Sequence, residues 1–250
     1  MSAWQRYETL RPDQLRAAVD EAPVLYWPLG LLEHHGWHLP VGFDGLKAER
    51  LCIRMAERTG GLLLPVMWWG AGGGHGEFAW TFYQDAEAAK KILRETLERA
   101  ALQGFKALVV VAGHYPWQPL LNSVVPVVEH RHPDVLILAG NEMALGRALD
   151  VPVSGDHAAR WETSYGLALL PEHVEMAALR EGRTSADWPN PHKRPRPEDV
   201  PKLQLDPGHA LFSQVGEDPR GTATAEAGEA ALSALCDALA AKVAAKLKGA

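Results

Sequence analysis

Cysteine is nearly absent from the chain: there are two in 250 residues, Cys52 and Cys236, and neither has a C-x-x-C partner. Both sit in apolar-periodic stretches, which argues against a disulfide scaffold or a zinc knuckle and predicts reduced core residues. Basic charge is short as well, with 25 Lys and Arg against 31 Asp and Glu and a net charge of −6. No basic field is available to hold a polyanion, so nucleic acid is not expected as a partner. No apolar run approaches the roughly 18 to 20 residues that cross a bilayer, and Met1-Ser-Ala-Trp-Gln-Arg6 lacks the apolar core of a secretory signal. A soluble, cytoplasmic protein without membrane contact is expected. Internal repeats and low-complexity linkers are missing too, so residues 1–250 are expected to form one domain.

Histidine and tryptophan are plentiful, at 11 and 9 residues. Imidazoles in such numbers direct attention to a metal or acid–base site. Apolar segments recur at a spacing that suits alternating strands and helices. Strands are predicted at 24–30, 62–66, 107–112 and 135–139. Helices are predicted from Asp44 to Arg58, Ala86 to Gln103, Pro119 to Arg131 despite Pro126, Trp161 to Leu170 and Thr222 to Leu247. Asp44 has the residue type of a helix cap. A polar turn is read after 139, and 180–215 reads as a long Pro-rich surface excursion. The alternation predicts an α/β fold with a mostly parallel central sheet covered on both faces. Loops leaving the carboxyl ends of such strands are where ligands bind.

The densest polar cluster, Glu33-His34-His35-Gly-Trp-His38, follows the first of these strands, with Asp44 downstream. Glu33 and His35 are two apart, so in extended backbone both leave one face and can meet at one ion. His34 then points the other way and reads as structural. Asp44 is either a cap or a carboxylate returned to the same place by a loop. His114 ends the strongest strand, where a histidine is a ligand or a backbone partner. His157 and Glu162 flank the start of a predicted helix, and that carboxylate is either a ligand or a favourable charge at the helix dipole. His75 sits in the Gly-rich loop 68–76 and is ambiguous. His38, His75, Tyr115 and Asp156 are weak candidates for substrate contact.

The segment from Leu29 to Pro40 with Asp44 resembles the E-x-H-G-x-H-L-P…D signature of the creatininase (creatinine amidohydrolase) family. Gly113-His114 is similar to its N-G-H segment, His157 to Ser164 to its H-A-G-x-x-E-T-S segment, and Gly216 to Gly228 to its G-D-P-x-x-A-T-x-E-x-G stretch. The resemblance implies a three-layer α/β/α subunit that assembles as a homo-oligomer, often a hexamer. It also implies two divalent ions, Zn, Mn or Fe, acting on a small-molecule substrate. Carried over position by position, Glu33, His35, Asp44, His114 and Glu162 become metal ligands, with Asp44 bridging. His157 becomes the catalytic proton shuttle. Three carboxylates and a bridging hydroxide would balance the two ions.

Departures from the pattern bear on the substrate. His114-Tyr-Pro-Trp-Gln118 contains no acid, so Glu162 is expected to supply the second ion, as in the deformylase-like branch. Val151 to Asp156 holds no aromatic residue to close over creatinine, and Ala112, Tyr115 and Pro116 reshape the wall beside His114. The expected activity is hydrolysis of a non-peptide C–N bond in a small cyclic amide, a formamide or a related compound. The alternatives are a C–C or lactone bond of a keto-sugar or cyclitol, or an inactive metal-binding subunit of an assembly.

Overall fold

The computed structural model describes residues 4–76, 78–183 and 203–249. Five parallel strands form one sheet: β1 (Trp4–Arg6), β2 (Val24–Leu29), β3 (Gly61–Leu63), β4 (Ala107–Ala112) and β5 (Leu136–Gly140). Their order across the sheet is β1-β3-β2-β4-β5. β2 and β4 lie at the centre and are buried at every position, as continuous apolar runs in a parallel sheet should be.

Alternate residues of these two strands feed two cores. Val24, Tyr26, Val109 and Val111 pack against α2 (Phe43–Thr59), α6 (Arg160–Leu169) and α7 (Ala225–Lys248). Leu25, Trp27, Leu29, Leu108, Val110 and Ala112 pack against α1 (Pro12–Glu21), α3 (Ala86–Leu102) and α4 (Trp117–Arg131). The result is the expected three-layer α/β/α arrangement. Cys52 and Cys236 are free and buried together in the first core.

Several elements differ from the sequence reading. β1 and α1 were not anticipated, and the polar turn after β5 is the short helix α5 (Glu142–Ala148), capped by the Asn141 side chain. The strand expected at 62–66 is β3, three residues long at 61–63. Asp44 does not cap α2. Gly42 is the N-cap without a side-chain bond, and Asp44 lies inside the first turn, buried and free to face the sheet. Of the excursion at 180–215, residues 184–202 lie outside the described part. Among the described residues no helix is long and apolar enough to cross a membrane.

The site is positioned where β2 and β4 end. Gly113, directly after β4, approaches the first turn of α2 so closely that a Cβ there would penetrate the Asp44 carbonyl. That contact lets His114 and Asp44 meet. Gly113→Ala is therefore expected to destabilise the protein by about 3 kcal/mol or more, since backbone rather than a side-chain tip must yield. Denaturant unfolding measures this; a loss under 1 kcal/mol on that scale would contradict the packing argument.

Candidate metal centre

Residues 31–35 leave β2 without helix or turn, and the Glu33 N–H donates to the Val41 carbonyl at 2.8 Å, folding the loop back on α2. Asp44 is thereby returned to Glu33 and His35. The His35 Nδ1–H donates to the Glu33 carbonyl at 3.0 Å. A carbonyl only accepts, so Nε2 carries the lone pair in the neutral ring. That nitrogen faces Asp44 Oδ1 at 3.1 Å and Glu162 Oε2 at 3.6 Å.

His114 repeats the arrangement from β4. Its Nε2–H donates to the carbonyl of Gly72 in the Gly-rich loop at 3.0 Å, and its Nδ1 faces Glu33 Oε2 at 2.9 Å and Asp44 Oδ2 at 3.2 Å. The two oxygens of Asp44 are thus divided between the two imidazoles. Tyr83 donates its hydroxyl to the other Glu33 oxygen at 2.7 Å.

The third strand of the site comes from the far half of the chain. His157 is held in an antiparallel bridge with Val215, and Ala158 beside it has φ of 51°. A non-glycine residue in this region stores strain that the surroundings must hold. After Ala158 the chain enters α6, whose first turn carries Glu162, buried. Glu162 Oε2 accepts the Ala158 N–H at 2.9 Å, and Oε1 accepts Lys47 Nζ at 2.8 Å. Lys47 also donates to Glu142 at 3.0 Å.

These donors fit a divalent cation. Glu33, Asp44, Glu162 and Glu142 are buried against the one ammonium of Lys47, leaving three excess negative charges. The Nε2 of His35, though beside carboxylate oxygens, makes no hydrogen bond with adequate geometry. A lone pair aimed at other lone pairs calls for a cation between them. Among the described residues, three donor groups have ligand atoms within 4.8 Å of one another: Glu33 with His35 and Asp44, His35 with His157 and Glu162, and Glu33 with His75 and His157.

Without an ion, protons take its place. Burial opposes charge on these rings, but Asp44 and then Glu162 lift His35 to about 9, and Glu33 with Asp44 lifts His114 to about 10. Burial likewise opposes ionisation of Glu33 and Asp44, and the facing imidazoles outweigh it to hold both below their ordinary range. Metal loading near pH 7 is therefore expected to release about two protons per chain, with affinity rising as pH rises. Calorimetry in buffers of different ionisation enthalpy checks this; a buffer-independent heat would contradict it.

A cleft of about 340 Å³ opens onto the donors. Glu33, Asp44, His114, Glu162, His157, His75, Tyr115 and Asp156 line it, together with Pro116, Met143 and Val215. Asp156 uses its carboxylate on the N–H groups of Ala159, Trp161 and Glu162, anchoring α6. His35 is not among the lining residues and lies between the tilted rings of Phe43 and His157. His38 is not among the lining residues; its Nε2 bonds Thr163 Oγ1 at 2.7 Å. His34 points away from His35, as alternation requires, into a cluster with Trp37, Phe78 and Phe212. Trp68 packs on Gly42 and Gly45 and Trp69 is exposed, and neither lines the cleft.

Sequence reasoning missed Tyr83, Lys47 and Glu142. Lys47 lies on the buried stripe of α2 with Asp44, Ala48, Leu51 and Cys52, and a lysine on such a stripe was a readable signal. Tyr83 and Glu142 offered none.

A family model described as creatininase, creatinine amidohydrolase, matches residues 8–243. A creatinine amidohydrolase of Pseudomonas putida is 32% identical over 117 residues, 45% of this chain and 42% of that protein, less than half its length. A mycofactocin precursor peptide peptidase of Mycobacterium ulcerans is 32% identical over 227 residues, 86% of this chain and 82% of the relative. A 3-dehydro-scyllo-inosose hydrolase of Thermotoga maritima is 25% identical over 191 residues, covering 70% and 60%. A crystal structure of creatininase shares the fold with a TM-score of 0.72 at 24% identity, covering 95% of this chain and 96% of that one. Solved creatininases of the same fold include a zinc–zinc form and a manganese form. With the family model covering nearly the whole chain over a matching fold, this protein belongs to the creatininase family of hydrolases.

Proposed function

We propose that the protein is a two-metal amidohydrolase cleaving a C–N bond of a small cyclic amide, a formamide or a related compound. The observation that carries this reading is the division of Asp44, with Oδ1 3.1 Å from His35 and Oδ2 3.2 Å from His114. Glu33, Asp44 and His114 would hold one ion, and His35, Asp44 and Glu162 the other. Mixed nitrogen and oxygen donors suit Zn, Mn and Fe alike. Such ions would supply ionised water at neutral pH and polarise the carbonyl under attack.

The proton falls to His157. Its Nε2–H donates to the His34 carbonyl at 3.0 Å, which leaves Nδ1 as the base. Burial, and then His75 and His35, hold the ring well below its ordinary pKa. It rests neutral and, once protonated, is a strong acid toward the leaving nitrogen. His75 stacks on it at 3.7 Å and is fixed by its own bond to the Ser213 carbonyl at 3.1 Å. Tyr115, Pro116, Met143 and Val215 narrow the cleft toward a small substrate.

A second reading, cleavage of a peptide C–N bond, is favoured by the Mycobacterium ulcerans peptidase aligned along 86% of this chain. The ring C–C reading has the shorter Thermotoga maritima match behind it. An inactive assembly subunit has no use for an imidazole pair presented in the cleft. Lactams, hydantoins, N-formyl compounds, cyclic ketones and short peptides are to be tested against Zn-, Mn- and Fe-loaded protein. Amine release from the first three classes supports the main reading, and release from peptides alone replaces it. Silence across the panel in fully loaded protein rejects the hydrolytic readings. Assembly as a homo-oligomer belongs to the same reading and is measured by light scattering.

A further inference from the structure

Glu162 is not a free carboxylate. Its Oε1 is occupied by Lys47 at 2.8 Å, while Oε2 accepts the Ala158 amide and stands 3.6 Å from His35 Nε2. Only Oε2 is therefore presented toward His35 and Asp44. Lys47 is itself fully buried, its Nζ set 4.8 Å from the Tyr115 ring and 5.4 Å from that of Phe43. A buried ammonium is tolerable only when paired. Glu142 provides that pairing at 3.0 Å, and the Tyr115 hydroxyl from the cleft wall donates to the same Glu142 oxygen at 2.8 Å.

We propose that Lys47 is a positioning residue: by holding one oxygen of Glu162 it makes that carboxylate a one-oxygen, weakened ligand of the second ion, with Glu142 setting how strongly it pulls. This rests on the two-metal reading above. Lys47 and Glu142 together add no net charge, so they polarise the ligand without altering the charge balance of the donors. Because Tyr115 bonds Glu142 and lines the cleft, the chain of contacts runs from the substrate wall to the metal ligand. A buried pair acting only as packing would predict none of this, since replacing both members by apolar residues is often neutral for stability.

The test is the two-site metal binding profile, by calorimetry and chelator competition with Zn²⁺ and Mn²⁺, of wild type and two variants. Lys47→Met/Glu142→Leu releases Glu162 Oε1 and is expected to tighten the weaker site by about tenfold or more, the stronger staying within about threefold. Glu142→Gln leaves the ammonium pulling on Glu162 alone and is expected to weaken the same site by about tenfold. Opposite shifts at one site separate positioning from general loss of structure, which would weaken both. Should the double variant not fold, the shift in Glu142→Gln decides alone. Two ions bound by wild type with the variant profiles unchanged would overturn the role of Lys47 only. Fewer than two ions per wild-type chain would overturn the two-metal reading and this inference with it.

Discussion

Asp44→Ala is expected to empty both metal positions at once, whereas Glu33→Ala and Glu162→Ala are each expected to empty one. The reason is geometric. Asp44 is the residue whose two oxygens serve both imidazoles, while Glu33 reaches His114 and Glu162 reaches His35. Turnover should fall by at least about 10³-fold, the scale of several kcal/mol of lost charge stabilisation. Metal content per chain, measured by mass spectrometry after dialysis, reads the prediction without a known substrate. An Asp44→Ala protein that keeps the wild-type metal content would end the bridging assignment. Gly42 rather than Asp44 caps α2, so the helix loses no cap in this variant.

His157→Ala is expected to do the reverse, keeping the ions and losing the chemistry. His157 is stacked against His75, lies tilted against His35 and is bonded through Nε2 to a backbone carbonyl. In the proposed assignment Glu33, Asp44 and His114 hold one ion and His35, Asp44 and Glu162 the other, and His157 belongs to neither set. Loss of a positioned acid–base group lowers kcat by about 10² to 10⁴. Metal content should match wild type, and KM should move far less than kcat. A variant with kcat within a few-fold of wild type would show that the proton travels by another route, for which His75, in the same cleft, is the next residue to substitute.

The sheet and its covering helices were legible because β2, β4, α3 and α7 carry their own signals, unbroken apolar runs and long helical periods. The elements missed are short or polar. β1 is three residues of mixed character, and α1 is an exposed helix with one buried residue, Ala18. The five candidate residues stood out because each follows a strand end or opens a helix, where side chains are rigidly aimed. Asp44 resembled a cap because an acid in the first turn satisfies the helix dipole whichever way it points. Lys47 could have been read off the buried stripe of α2, but Glu142 could not, since no local pattern relates two residues 95 apart.

The short segment around Ser213 and Val215 fastens three separate loops. The Gly36 amide donates to the Ser213 hydroxyl, His75 to its carbonyl, and His157 pairs with Val215. On a ribosome this fastener emerges after every donor it secures. Glu33, Asp44 and His114 are available once the first 114 residues have been made, whereas His157 acquires its anchor a hundred residues later. The wall of the cleft formed by His75 and His157 is therefore completed only when the chain near residue 215 has been made.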